Sequence, residues 1–197
     1  MKRLLVFGFG PFGTVRHNPT SDIVLKILPR VVPDATGVLL RTSYREVDDR
    51  VPQAIDEHKP DVVIIFGLAT RSSRVRVEQV AHNEDSLKAK DHDGCQGVAP
   101  IVPTQRQTLR SSLPVTHIEH ELGACGIAFV RSTDAGRYVC NHALFRALDH
   151  VDGGPPVSVG LIHIPTSDHY ETYTGRALDV EELVRVVTRA ALYGGQR

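Results

Sequence analysis

Val62-Val63-Ile64-Ile65-Phe66 is a run of large apolar residues with no polar break. Such a run predicts a strand buried on both faces, as in parallel sheets covered by helices on either side. The same rhythm recurs along the chain. Leu4-Leu5-Val6-Phe7 reads as a buried first strand ending at Gly8, and Asn18-Pro19-Thr20-Ser21 offers helix-start residues before Ile23, Val24, Ile27 and Leu28 fall on one helical face. That helix is expected to stop near Pro29. Gly37 to Thr42 reads as a second strand and Asp48 to His58 as a helix with Val51 and Ile55 inward. From Arg74 to Gly97 the rhythm breaks: Arg74, Arg76, Glu78 and Val80 alternate with Val75, Val77, Gln79 and Ala81 as in a strand, and a polar stretch follows that reads as a long exposed loop or hairpin. Glu119 to Leu122 closes a further helix, Ile127 to Val130 is a strand, Tyr138 to Val151 a helix, Val157 to Ile164 a strand and Val180 to Leu192 a last amphipathic helix. Alternating strands and helices predict a layered α/β domain with a largely parallel sheet. With no linker, repeat or low-complexity tract, one domain is expected over residues 1–197.

Composition narrows the function classes. The 23 basic residues are matched by 23 acidic ones, so there is no cationic excess for a phosphate backbone or an anionic membrane, and neither nucleic acid nor membrane is an expected partner. The apolar runs are too short to span a bilayer, and Met-Lys-Arg leads into Gly8, Gly10 and Pro11 rather than a signal-peptide core, so a cytoplasmic location is expected. Cys95, Cys125 and Cys140 have no CxxC spacing and no clustered histidines, which signals neither a disulfide framework nor a metal site. A chemically active thiol is the remaining possibility.

Gly8-Phe9-Gly10-Pro11-Phe12-Gly13 is a literal G-x-G-x-x-G after a strand. It is a poor dinucleotide site, because Pro11 removes an amide donor, the helix start lies later at Asn18 to Ser21, and the second strand ends in Arg41-Thr42 rather than an acid. What the turn offers is two aromatic rings, Phe9 and Phe12, at the carboxyl end of a strand, where open α/β sheets hold their ligands.

Cys140 opens a helix, where aligned peptide dipoles carry about half a positive charge that favours a thiolate. Cys125, near a helix end, is expected to be a small buried hydrophobe, and Cys95 an exposed thiol. A thiolate needs a base. His163 is the best placed of the ten histidines, ending the apolar strand Leu161-Ile162-His163-Ile164. If the strand after the Cys140 helix lies beside the strand before it, both side chains reach one cleft. Glu78 is the acid in a half-buried strand that could orient the imidazole, with Glu84, Asp85, Asp91 and Asp93 close by in sequence. The residue chemistry reaches a Cys/His/acid hydrolase and stops there.

Four segments, taken together and in order, resemble a known family. They are Gly8-Phe9-Gly10-Pro11-Phe12-Gly13 with Asn18-Pro19, Val77-Glu78-Gln79-Val80-Ala81-His82-Asn83, Ala135-Gly136-Arg137-Tyr138-Val139-Cys140-Asn141, and Ile162-His163-Ile164-Pro165. The chain is similar to the type I pyroglutamyl peptidases, or pyrrolidone-carboxylate peptidases, which are cysteine peptidases. The resemblance implies a three-layer α/β/α sandwich around a twisted, largely parallel sheet, and removal of an N-terminal pyroglutamyl residue from peptides. It implies Cys140 as nucleophile, His163 as general base and acid, Glu78 as the orienting acid, and Phe9, Phe12 and Tyr138 as walls for the lactam ring. It further implies a homo-oligomer, dimer or tetramer, with no metal or organic cofactor.

The departures from the family pattern fall in the substrate wall. Gly67-Leu68-Ala69-Thr70-Arg71 stands where the family usually has Gly-Gln-Ala-Gly-Gly, so Leu68 replaces an amide. Ser86 to His92 lacks the family's Ile-Pro, which brings Ala89 into question, and Thr166-Ser167-Asp168-His169 replaces an aromatic, proline-containing continuation. Two alternatives therefore stay open: hydrolysis of another small cyclic or acyl amide, or a catalytically silent protein that binds a small metabolite.

Overall fold

The computed structural model describes residues 2–194. A six-stranded sheet is built from β1 (Leu4–Phe9), β2 (Thr36–Leu40), β3 (Val62–Ala69), β4 (Val75–Glu78), β7 (Phe129–Ser132) and β8 (Ser158–Pro165), in the order β2-β1-β3-β8-β4-β7. The helices are α1 (Pro19–Asp22), a π-helical stretch Ile23–Ile27, α2 (Leu28–Val31), α3 (Tyr44–His58), α4 (Val115–Ala124), α5 (Val139–Val151), α6 (Ser167–Thr174) and α7 (Val180–Tyr193). The strand pattern dictates the layers. Leu4, Val6, Val62, Ile64 and Phe66 pack with Ile23, Leu28, Ile118 and Leu183 on one face. Their neighbours Leu5, Phe7, Val63 and Ile65 pack with Val47, Val51, Val139 and Leu144 on the other. Every apolar residue of β3 thus has a partner layer, as its unbroken run requires, and the architecture is the expected sandwich.

Four strands run parallel, but β4 and β7 run together in the opposite sense: β4 is antiparallel to β8 and parallel to β7. This overturns the expectation that the strands before and after the Cys140 helix are neighbours, since β4 lies between β7 and β8. Gln79 is where the single strand read from Arg74 to Ala81 divides. There the chain leaves the main sheet, and β5 (Val80–His82) pairs instead with β6 (Thr108–Arg110) in a small antiparallel sheet. Neither β6 nor α6 carries enough periodicity to be legible in the sequence.

The first helical run passes Pro29 and ends at Val31. The proline is tolerated because the π turn comes just before it, with the Leu28 amide bonding to the Ile23 carbonyl, so the ladder has already shifted where the missing N–H falls. Helix α3 starts earlier than the apolar pattern suggested, at Tyr44, because Ser43 caps it through the Glu46 amide. Cys125 is exposed at the end of α4, not a buried hydrophobe; the helix presents Ile118 and Leu122 to the core and turns its last residues outward. Cys95 is exposed as expected.

The glycine-rich turn is held by the helix that follows it. The Thr20 hydroxyl accepts from the Phe9 amide (2.9 Å), and the Asn18 side-chain amide donates to the Gly10 carbonyl (3.0 Å). Gly8 is what allows β1 to come this close, because a Cβ there would stand 2.4 Å from the Thr20 carbonyl oxygen and 2.8 Å from Val24. Replacing Gly8 by Ala is expected to lower the unfolding free energy in urea by about 2 kcal/mol, within the usual range for overpacking a rigid site. An unchanged midpoint would show that the β1–α1 contact can relax.

Candidate active site

The alternation of β4 and β8 decides which side chains meet. Val75 and Val77 go to one core, with Ile162 and Ile164. Arg76, Glu78 and His163 therefore face the opposite layer, the one α5 covers. In the ladder His163 stands directly across from Arg76, with Glu78 two residues along the same face. The Glu78 side chain has no solvent exposure and His163 only 7%. His163 Nδ1 donates to Glu78 Oε1 at 2.9 Å, and the same oxygen accepts from Arg76 Nε at 2.8 Å.

Cys140 is the second residue of α5, behind Tyr138 as N-cap. Its sulfur meets the ring across Gly67 of β3: a Cβ on Gly67 would stand 2.8 Å from Cys140 Sγ and 2.9 Å from His163 Nε2. Only glycine leaves that gap open. Because β7 runs against β8, residues 133–138 have to return along the sheet to start α5 beside His163. Arg76 fastens that return, donating to the Ser132 hydroxyl (2.6 Å) and the Asp134 carbonyl (2.8 Å).

The electrostatics match the contacts. Burial penalises the His163 cation, but hydrogen bonds to Cys140 and Glu78 and attraction to both outweigh it and push its pKa up to about 9. Glu78 shows the converse. Burial favours its neutral form, yet hydrogen bonds with His163 and Arg76 and the attraction of the imidazolium hold it below the ordinary carboxylate range. An imidazolium between a carboxylate and a sulfur is the state this geometry favours.

Beside the pair opens a cavity of about 850 Å³, lined by Phe9, Phe12, Leu68, Ala89, Tyr138, Cys140 and His163 among others. Phe9 is buried and Phe12 half-buried, with the Phe12 and Tyr138 rings 6.1 Å apart. Phe9, Phe12, Leu68, Ala89, Tyr138, Cys140 and His163 come together here, with Glu78 behind His163 rather than on the cavity wall.

Sequence reasoning missed two parts of the site. One is Arg76, which reads only as an outward residue of an alternating strand. The other is a buried ionic anchor under the loop that carries Ala89. His142, two residues after Cys140, bonds Asp85 (2.7 Å) through Nδ1 and Asp48 (3.1 Å) through Nε2. Burial disfavours its charge, but the two carboxylates raise its pKa. The loop is held further by Asp91, which accepts from the amides of Tyr44 (2.9 Å), Asp93 (3.0 Å) and Cys95 (2.8 Å), and by the Tyr138 hydroxyl, which donates to the Lys90 carbonyl (3.0 Å). The polar stretch read as an exposed loop is therefore pinned by buried acids. A histidine at i+2 from a helix-starting cysteine, with an acid after Asn83, was the available signal. Among the described residues, no three His, Cys, Asp or Glu side chains converge as a metal site, and no helix is long and apolar enough to cross a membrane.

Comparison with known proteins agrees along the chain. A family model described as pyroglutamyl peptidase matches residues 2–192. The pyrrolidone-carboxylate peptidase of Halalkalibacterium halodurans is 33% identical over 195 residues, covering 94% of this chain and 95% of the relative. That of Brevibacillus brevis is 39% identical over 171 residues, covering 84% and 79%. The crystal structure of pyroglutamyl peptidase I from Bacillus amyloliquefaciens superposes with a TM-score of 0.85 at 26% identity, covering 100% of this chain and 96% of that one.

Glu78 helps to hold the His163 proton, so Glu78→Gln is expected to move the imidazole midpoint below about 9, followed by the ring C–H resonances in NMR. A midpoint that stayed in place would show that Glu78 exerts no net pull on that proton.

Proposed function

The chain belongs to the pyroglutamyl peptidase family, and from that premise we propose that it is a cysteine exopeptidase that removes N-terminal pyroglutamate from peptides by acyl transfer to Cys140. The observation that carries this reading is the hydrogen bond from His163 Nδ1 to buried Glu78, with the Cys140 sulfur on the other side of the ring at the edge of an aromatic cavity. His163 takes the Cys140 proton, and the sulfur attacks the pyroglutamyl carbonyl. Amides at the start of α5 are well placed to receive the oxyanion, since they are the unpaired donors of a helix N-terminus. The imidazolium then protonates the leaving amine, and water, deprotonated by the same ring, releases pyroglutamate. Glu78 keeps the ring in the orientation and tautomer both steps need.

Phe9, Phe12 and Tyr138 suit a flat, uncharged lactam, which places no charge against apolar walls. Leu68 and Ala89 both line the cavity, and this favours a second reading alongside the first: the same chemistry with a widened acyl range, extending to other small cyclic or acyl amides. The family resemblance further implies assembly into a dimer or tetramer, which light scattering of the purified protein would test.

A pyroglutamyl coumarinylamide assayed beside its prolyl and alanyl analogues separates the readings. Turnover of the pyroglutamyl compound is expected to exceed that of the prolyl one by roughly 10³-fold or more if the lactam polar groups are paired in the site. Comparable rates would favour the widened range, and no pyroglutamyl turnover by folded protein would refute the proposal. Cys140→Ala is expected to lose more than about 10³-fold in kcat.

A further inference from the structure

We propose that Arg76 is a positioning residue of this active site, clamping Glu78 onto His163 and setting the pH range over which the Cys140–His163 pair is active. The inference rests on the reading above, in which that pair carries the reaction. Three observations support it. Arg76 Nε and His163 Nδ1 share one acceptor, Glu78 Oε1, at 2.8 and 2.9 Å. Arg76 stands directly opposite His163 in the β4–β8 ladder. The same guanidinium fixes Ser132 and the Asp134 carbonyl, and so the return segment that delivers Cys140.

The consequence for charge follows from this arrangement. Glu78 alone would draw the imidazolium strongly; with a guanidinium on the same oxygen, carboxylate and cation largely offset each other. Arg76 therefore tempers the pull of Glu78 on the imidazolium. The other groups facing this cluster are few. Cys140 comes from α5, and Asp134 and Arg137 of the return segment pair with each other at 2.6 Å. Arg71, Lys90 and Tyr138 line the cavity, and β3 contributes no ionisable group. His142 is taken up by Asp85 and Asp48. Among these groups none touches Glu78 Oε1, so Arg76 is the cation that shares this oxygen with His163.

Loss of the cation leaves the Glu78 charge uncompensated beside the pair, which favours the imidazolium and disfavours the thiolate. The thiolate forms at higher pH and the imidazolium keeps its proton to higher pH, so both limbs of the kcat/KM profile move up. For a unit charge at this range in a partly buried site the shift is about half a unit to one unit. The test compares Arg76→Gln, Arg76→Met and Arg76→Lys, each checked by circular dichroism and melting. The readouts are the pH profile with the pyroglutamyl coumarinylamide and, without substrate, the pH dependence of iodoacetamide alkylation at Cys140. Peptide mass mapping separates Cys140 from the exposed Cys95 and Cys125. Gln and Met are expected to shift both limbs and the alkylation curve upward and to lower kcat by about tenfold or more. Lys keeps the charge and is expected to hold the limbs near their original positions. A kcat loss with unmoved limbs and an unmoved alkylation curve would reduce Arg76 to a structural brace and overturn the proposal. If the coumarinylamide is not turned over by the unmodified protein, the peptidase reading fails by itself; the alkylation curve then still decides whether Arg76 governs the pair.

Discussion

A carboxylate with no solvent exposure stands at the centre of this molecule. Removing the Glu78 charge from water costs several kcal/mol unless donors replace the lost solvation, and the structure supplies two on a single oxygen, from Arg76 and His163. The rest of the site follows from meeting that demand. β4 is inserted antiparallel beside β8 so that Glu78 and Arg76 share a face with His163. Because β7 follows β4 in direction, the chain has to return over residues 133–138 before α5 can begin with Cys140 at the ring. Gly67 keeps the last gap clear. The strand reversal is thus the feature that brings Glu78, His163 and Cys140 to one place.

The two layers divide the physical work. The face covered by α1, α2, α4 and α7 is an apolar core that runs from β1 across β3, β8 and β4. The buried ionisable groups Glu78, Asp85, Asp91, His142 and His163 belong to the α3 and α5 side or to the loop resting on it. Buried ion pairs contribute little net stability, because desolvation offsets most of their attraction. Folding energy therefore comes mainly from the first layer and from the apolar part of the second, leaving the charged cluster free to be arranged for chemistry. Proteins commonly violate local packing rules at functional sites in this way.

Elements with a strong period were legible: the doubly buried strands β1 and β3, the helices α5 and α7, and the layered α/β class all follow from apolar spacing. Glu78, His163 and Cys140 were legible as residue types in suggestive places, and the four motifs joined them. What could not be read was non-local. Strand direction depends on pairing between segments about 85 residues apart, which no local pattern encodes, and so β7 was expected beside β8. Arg76 looked like an outward residue because alternation gives a side, not a neighbour. Helix α6 is short, with one buried residue, Tyr170, and so shows no stripe. Cys125 misled because a helix end turns outward within one or two residues, a finer scale than composition resolves.

The loop that carries Ala89 and Lys90 separates the residues that anchor it from those that line the cavity. Its anchors point inward, Asp85 to His142 and Asp91 to the amides of Tyr44, Asp93 and Cys95, whereas Ala89 lines the cavity. Anchoring and lining are thus carried by different residues of one segment. Leu68 has the same relation to β3, whose register with β8 is set by backbone pairing and not by that side chain. A substitution at either wall position changes the shape and polarity offered to the acyl group without touching Glu78, His163 or Cys140. Substitution at Asp85 or His142 would do the reverse, leaving the wall residues unaltered but loosening the backbone that presents them. The cavity wall is therefore free to vary at Leu68 and Ala89, while the buried acids of the loop are held by the cost of leaving a charge unpaired.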